Sequence, residues 1–480
     1  MEGSEQPTTT LWWIRRDLRL EDNQALQAAL DNAHLVLPVF VIDPHLVHSP
    51  RMGQERLGFL WDGLRALQQE LQERGADLVI RKGNPVQVLP ALVKESAART
   101  VYAEEDFSPY ARRRDQAVAE QVPLSLEPGL GIAHPESIFK AGGGAYQIYS
   151  YYKKKWRRQF FPLPGNDLWD APHRFEMPQG VRSEPIPEGD YSSKEYFPPG
   201  HQAARDRILT FTSGLNPAIH SYTEGRDRPD LQGTSLLSPY FHFGMLSARQ
   251  ALVQAQAAAE QNDNAKSQNA VDVWVDELIW RDFYFSILYH FPHVVDGSFR
   301  DSLQHISWRN DRDDFQRWKE GKTGYPLVDA GMRQLLEMNW MHNRLRMVVA
   351  SFLVKDLLVD WRWGEAWFMK KLLDADLAAN NGGWQWVAGT GTDAAPYFRI
   401  FNPVSQSKKH DPQGKYIKKY VPELRDVPVQ YIHEPWTMPA NVQEECNCKI
   451  GKDYPALVVD HGQARERTLA VYREARESVL

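Results

Sequence analysis

A change of hydrophobic period part-way along the chain constrains its fold more than any other feature. Up to residue 130, short apolar runs rich in β-branched residues alternate with helical patterns; the runs are Leu11 to Ile14, Leu35 to Ile42, Leu78 to Arg81 and Thr100 to Ala103. The clearest helix between them sets Leu57, Leu60, Trp61, Leu64, Leu67 and Leu71 on one stripe and stops before Gly75, where a left-handed cap costs little. Strand alternating with helix predicts a parallel, doubly wound sheet. From Gly131 to Gly200 the chain turns rich in Pro and Gly, with Gly142 to Gly144 in a row and PIPEGD at Pro185 to Asp190, and reads as a surface connector. Beyond His201 strand signals fade while helical stripes recur, as in Val271, Trp274, Val275, Leu278 and Ile279. The predicted architecture is therefore an α/β domain over 1–130, a connector over 131–200 and an all-α domain over 201–480. Its tail, Tyr454 to Leu480, reads as a loop and one terminal helix.

Composition removes several classes. With 480 residues, 42% hydrophobic and 25% charged, the chain is globular and too long for one ordinary domain. No apolar run approaches the roughly 20 residues that span a bilayer, and the start, MEGSEQPTTT, lacks the layout of a signal peptide, so a cytoplasmic protein without membrane partners is expected. The two cysteines, Cys446 and Cys448, cannot build a disulfide framework or a four-thiolate zinc site and read as loop residues; no metal is expected. No G-x-G-x-x-G follows the first strand, which argues against a nicotinamide dehydrogenase. A formal net charge of -6 excludes a uniformly basic coat but not a local one. Lys153, Lys154, Lys155, Arg157 and Arg158, interleaved with Tyr151, Tyr152 and Trp156, suit either a phosphate-contacting surface or a solvated helix face.

Four segments carry unusual polarity for otherwise apolar surroundings. Leu373 to Arg399, LDADLAANNGGWQWVAGTGTDAAPYFR, places Asp374, Asp376, Asn380 and Asn381 where buried carboxylates and amides need partners, from a bound polar ligand or from the backbone of a capped turn. Thr234-Ser235-Leu236-Leu237-Ser238-Pro239 offers successive amides and hydroxyls that suit a phosphate at a helix start, or an ordinary N-cap. Glu277 and Arg281 stand at i, i+4 on an apolar helix, a spacing that also suits a simple ion pair. In Trp340 to Met347, Asn343 and Met347 share one helix face one turn apart, among Trp and Met residues of the kind that usually fill cores.

Together these stretches resemble the DNA photolyase and cryptochrome family. The opening WIRRDLRLEDNQAL is similar to its N-terminal signature. GKTGYPLVDAGMRQL, WMHNRLRMVVASFLVKDLL, DADLAANNGGWQW and FRIFNPVSQSKKHDPQGKYI resemble its most diagnostic motifs, so the likeness runs from Leu11 to Arg476. Within the family the chain most resembles class I bacterial photolyases that act on cyclobutane pyrimidine dimers.

The resemblance implies a flavoprotein lyase of DNA repair in which reduced FAD lies folded in the helical domain. The positions matching its flavin site are Tyr222, Thr234, Ser235, Leu236, Leu237, Ser238, Trp274, Arg281, Arg346, Asp374, Ala375, Asp376 and Asn380, with Asn380 facing the flavin N5 and Arg346 pairing with Asp374 beside the ring. The reaction it implies is light-driven electron transfer into the dimer, which needs no protein nucleophile and agrees with the lack of a hydrolytic triad. Trp280, Trp386 and Met347 match the walls around an extruded dimer, Glu277 and Asn343 its edge contacts, and Arg226, Arg344, Gln406 and Lys408 the phosphate contacts. Trp384, Trp361 and Trp308 match the electron relay. UV-damaged DNA is the implied partner, with no obligate protein partner and a monomeric chain.

An antenna chromophore is the least defined implication. Ala103 to Tyr110 differs from the folate-binding version and looks more like the 8-hydroxydeazaflavin type, with folate or FMN as alternatives. Phe40, Asp106, Tyr110 and Arg112 would line that pocket, and a plain strand-to-helix turn explains them equally well. The competing reading is a cryptochrome-type photoreceptor, against which Asn380, Met347 and the lack of an extended tail count. A (6-4) photolyase would place a histidine where this chain has Asn343.

Overall fold

A computed structural model describes residues 7–262 and 264–477. The first six residues of the N-terminal segment and the last three of the tail read above lie outside the described residues. The described residues form two compact units, one within 7–220, 235–292 and 373–378, the other within 221–234, 293–372 and 379–477.

The first unit contains a five-stranded parallel sheet: β1 Thr9–Ile14, β2 Leu35–Ile42, β3 Val79–Lys82, β4 Val101–Glu104 and β5 Leu124–Glu127, in the order β3-β2-β1-β4-β5. Every residue of β1 is buried, as expected of a central parallel strand covered on both faces. It pairs with β2 (Leu11 opposite Leu37) and with β4 (Leu11 opposite Val101). The strand order reverses between β1 and β4, the place where open α/β sheets collect polar groups at the carboxyl ends of their strands. Arg15 and Arg16 follow β1 there, and Glu105 and Asp106 follow β4. β5 was not anticipated from the sequence; its LSLE has no buried position, so an edge strand this short carries little apolar signal.

Among the helices, α1 (Gln24–Asp31) opens on Asn23, whose side chain accepts from the Leu26 amide. The next, α2 (Gln54–Gln72), buries the predicted leucine stripe and is followed by Gly75 at φ +87°. The stretch read as a connector contains a third helix, α3 (Tyr149–Phe160), with Tyr152 and Trp156 fully buried one turn apart. The 26-residue α4 (Ala265–His290) buries the Val271 to Ile279 stripe and continues through Asp282, Phe283 and Phe285.

The second unit holds α5 (Asn343–Ser351), α6 (Trp361–Lys371), most of α7 (Leu377–Ala388) and the terminal α8 (His461–Glu477). Among the described residues no helix is long and apolar enough to cross a membrane. Cys446 and Cys448 are both free and buried, after a short helix and in a loop.

Candidate functional site

In the first unit the sequence-predicted residues gather around one buried and two half-buried cations, Arg56, Arg16 and Arg281. Arg16 Nη2 donates to Asp376 Oδ2 at 2.6 Å and its Nε to the His242 carbonyl at 2.9 Å, while Asp106 stands 3.7 Å from Nη1. Asp376 also accepts from the Ala378 amide at 2.9 Å, and Asp374 accepts from Ser238 Oγ at 2.5 Å. Arg281 donates to the carbonyls of Leu130 (2.5 Å) and Phe241 (3.2 Å) and lies over the Phe285 ring. Burial holds the guanidiniums of Arg56 and Arg281 down to about 10, against the carboxylates near each. Burial, and then the charges of Arg16, Arg56 and Arg281, press the His242 imidazole well below its ordinary range. Arg16, Arg56 and Arg281 bring three guanidiniums close to the hydroxyl of Ser238 and the carboxylates of Asp374 and Asp376, and guanidiniums and a hydroxyl are donors of the kind that an anionic group such as a pyrophosphate takes. The donor set therefore fits FAD. The sequence reading did not single out Arg56, Arg16 or His242. For Arg56 a signal was present: it stands four residues before Leu60, on the apolar stripe of α2.

The run Thr234 to Ser238 is not itself a helix start of any length. A five-residue helix begins only at Ser238, and Leu236 before it takes φ +53°, a left-handed conformation uncommon outside glycine. Trp274 is buried against Phe211. Trp280 is half-buried, with the Tyr149 ring stacked on it at 3.5 Å and 4°. Glu277, one turn before Arg281, is also half-buried.

The basic cluster on α3 divides by face. Lys153 pairs with Asp276, and Arg157 donates to Asp272 and Asp276 at 2.8 Å each. Lys154 and Arg158 are exposed, and the Tyr151 side chain lies out beside them. Of the proposed antenna residues, Tyr110 donates to Asp43 and is stacked by His45 at 4.3 Å, Asp106 accepts from the Ser108 amide, and Arg112 reaches the Tyr289 carbonyl and ring. These three take separate partners, and Phe40 is buried in β2.

In the second unit α5 presents Asn343 exposed and Met347 half-buried on one face, as its spacing predicts. His342 caps the helix: its Nδ1 accepts the Arg344 amide at 3.2 Å. Burial, reinforced by Arg344 and Arg346 and opposed by Asp227, pushes His342 down to about 4. Arg344 Nε and Nη2 donate to Asp227 Oδ1 at 3.1 and 2.7 Å, and Lys408 pairs with Glu434 at 2.5 Å. Arg346 Nε donates to the Met341 carbonyl. Arg226 lies over the buried Tyr222 ring in a loop closed by Gly225 and Gly233; a Cβ on Gly233 would stand 2.7 Å from the Gly225 backbone, so both positions require glycine.

Along α7, Asn380 donates to the Glu365 carbonyl (3.1 Å), and Asn381 to the Val294 carbonyl (3.0 Å) and the Glu365 side chain (3.1 Å). Trp384 is 3% exposed and packs edge-on to Phe368 and Trp318. Gly364 makes room for it, since a Cβ there would lie 2.1 Å from the indole. Trp361 is 2% exposed, whereas Trp308 is half-buried against a cluster of Leu303, Ile306, Leu358 and Tyr472. Trp386 and Gln406 are half-buried.

A parallel sheet with a charged switch point, a cluster of guanidiniums suited to an anionic group and an aromatic-rich helical part define an α/β plus α class of protein. Residues 274–474 match the model of the FAD binding domain of DNA photolyase, and residues 10–173 match the DNA photolyase model. A deoxyribodipyrimidine photo-lyase of Vibrio cholerae is 40% identical over 97% of this chain and 99% of its own. The crystal structure of a bacterial class III photolyase from Agrobacterium tumefaciens superposes with a TM-score of 0.92 at 35% identity, covering 99% of both chains. That of a Synechocystis cryptochrome gives 0.87 at 28% identity, covering 98% of this chain and all of its own. The chain belongs to the DNA photolyase family.

Proposed function

We propose that this chain is a deoxyribodipyrimidine photo-lyase, which binds UV-damaged DNA and splits cyclobutane pyrimidine dimers by light-driven electron transfer from reduced FAD. Similarity to a photo-lyase at 40% identity over nearly the full length of both chains carries the reading. FAD, when bound and reduced, supplies the electron that light sends into the dimer. The backbone and hydroxyls of Thr234, Ser235, Leu236, Leu237 and Ser238, with Arg281, hold the pyrophosphate, and the field of Arg16 and Arg56 adds to its binding. Tyr222, Trp274, Arg346, Asp374, Ala375, Asp376 and Asn380 would hold the rest of the cofactor, and Trp384, Trp361 and Trp308 would carry electrons from the surface to its oxidised form. Burial of the first two of these tryptophans and partial exposure of the third support that order.

Photolyases are a standard example of enzymes that take their target out of the base stack, at a cost of a few kcal/mol that a damaged step lowers. Trp280, Trp386 and Met347 wall the extruded dimer, Glu277 and Asn343 bond its edges, and Arg226, Arg344, Gln406 and Lys408 contact phosphates. Exposed Lys154 and Arg158 extend that contact. An antenna chromophore lined by Phe40, Asp106, Tyr110 and Arg112, of 8-hydroxydeazaflavin type or otherwise folate or FMN, and a cytoplasmic monomer without an obligate protein partner complete the reading.

Photoreduced protein under blue light is expected to restore thymine monomers from an oligonucleotide carrying one thymine dimer. No restoration with FAD fully loaded and reduced overturns the reading in favour of a photoreceptor, the second reading, which the cryptochrome likeness supports. Asn343→Ala is expected to weaken dimer binding about tenfold with FAD content unchanged; loss of flavin in that variant would remove Asn343 from the lesion side.

A further inference from the structure

We infer that Tyr149 is a positioning residue for lesion recognition: it fixes the plane of Trp280 before DNA arrives. The inference rests on the reading of Trp280 as a wall for the extruded dimer. The Tyr149 ring lies parallel to the Trp280 indole, with centroids 3.5 Å apart and planes 4° apart. Its Oη donates to the Asp276 carbonyl at 2.9 Å, one turn before Trp280 on α4. The helix that carries Tyr149 cannot slide along α4, because Lys153 and Arg157 both hold the Asp276 carboxylate, Arg157 also holds Asp272, and Trp156 Nε1 donates to Asp282 at 2.8 Å. Phe283 meets Trp280 edge-on at 5.7 Å, and Tyr284 lies at 5.7 Å and 29°, so the Tyr149 stack is the tightest ring contact Trp280 makes among those described.

A half-buried tryptophan without such a backing would sample several rotamers, and binding a dimer against it would carry the cost of ordering the side chain. Stacking by an anchored tyrosine spends that ordering in the folding of α3 instead. The ion pairs of Lys153 and Arg157 follow from the same requirement: two residues of a basic cluster are spent on the α4 carboxylates to tether the backing helix.

The test measures dark binding of the FAD-loaded full chain to duplexes with and without a single thymine dimer. Tyr149→Leu is expected to lose about three- to tenfold in affinity for the dimer duplex, with a small drop in melting temperature, while affinity for undamaged duplex and FAD content stay unchanged. Tyr149→Phe keeps the ring and is expected to restore dimer affinity. In a Trp280→Leu background the Tyr149→Leu loss is expected to vanish, because the two act through one indole. Wild-type dimer affinity in Tyr149→Leu, with Trp280→Leu weakened, overturns the inference and leaves the reading of Trp280 intact. No loss in Trp280→Leu overturns that reading and the inference with it. A parallel loss for undamaged duplex would show a purely structural role and also overturn it. If Tyr149→Leu does not yield holoprotein, Tyr149→Met, which keeps apolar bulk without a ring, is read by the same criteria.

Discussion

In the first unit Arg16, Arg56 and Arg281 crowd their charge into buried surroundings, whereas in the second unit the polar residues of α7 are neutral amides closed by backbone carbonyls. The two regions are neighbours in sequence: Asp374 and Asp376 belong to the first, and Asn380, Asn381 and Gln385 follow within three turns. Concentrated buried charge costs free energy in the empty fold and repays it only when something of opposite charge binds. A neutral, satisfied amide network costs little and fixes one arrangement of loops. The difference separates charged residues that await a ligand from the neutral pair Asn381 and Gln385 that holds architecture, although both look equally polar in the chain.

The largest expected effect breaks the first region. Asp376→Ala removes the carboxylate that Arg16 grips at 2.6 Å and leaves that guanidinium beside two others. Breaking a buried pair costs about 3 to 5 kcal/mol, and no more than the lower end applies because Arg16 keeps 21% side-chain exposure and a second carboxylate, Asp106, at 3.7 Å. Urea unfolding is expected to show a loss of about 3 kcal/mol, and absorbance of the purified variant a lower flavin content. Full stability would mean that the field of Arg16, Arg56 and Arg281 does not need Asp376.

The second region sharpens the comparison through pH. His342 titrates at about 4 in the folded chain against 6.5 unperturbed, so the folded state favours its neutral form. Its contribution is therefore complete above pH 6.5 and is lost as pH falls toward 4, by up to about 3 kcal/mol at 1.36 kcal/mol per unit. Protonation also removes the lone pair that caps Arg344, at the helix start that carries Asn343. Asn at this position keeps a capping oxygen without titrating. The difference in unfolding free energy between wild type and His342→Asn is expected to grow across pH 6.5 to 4; a constant difference would show that His342 is not buried as neutral imidazole.

Gln385→Leu tests whether the amides are architecture. Nε2 of Gln385 serves the carbonyls of Val294 and Gly297 and the Asn381 side chain, and its Oε1 accepts the Phe299 amide at 2.8 Å. Leucine fills the volume but leaves these groups unsatisfied, an expected loss of about 2 kcal/mol. Unlike the Asp376 loss, it should be independent of salt and of FAD loading in parallel melts.

These distinctions mark where the sequence was readable. Strands β1 to β4 were legible to within two residues, because buried parallel strands are continuous apolar runs; β5, exposed at the edge, was not. The α3 helix entered only as one reading of its basic run, because flanking Gly and Pro made the stretch look like a connector, although Tyr152 and Trp156 carried its spacing. Polar density in Leu373 to Arg399 was readable, but its partners were not: Arg16 stands 360 positions from Asp376. Nor could the basic run show that Lys153 and Arg157 face inward, since Asp272 and Asp276 lie more than a hundred residues away. The quoted motifs carried the family.

The smallest effect comes from placing a charge in the neutral region without changing its shape. Asn380 donates through Nδ2 to the Glu365 carbonyl at 3.1 Å, and an ionised aspartate there has no proton to give and faces an oxygen. Asn380→Asp is expected to cost about 1 to 2 kcal/mol at neutral pH, the price of one half-buried acceptor set against another. Below the carboxyl's titration the protonated acid can donate to the same carbonyl. Its folded pKa is thus raised above the ordinary carboxylate value near 4. The sign follows: the deficit should be absent in acid and appear as pH rises through the raised pKa, opposite to His342, whose contribution fades as pH falls. A deficit independent of pH would mean that the Glu365 carbonyl finds another donor, and that the neutrality of this stretch of α7 serves the cofactor rather than the fold.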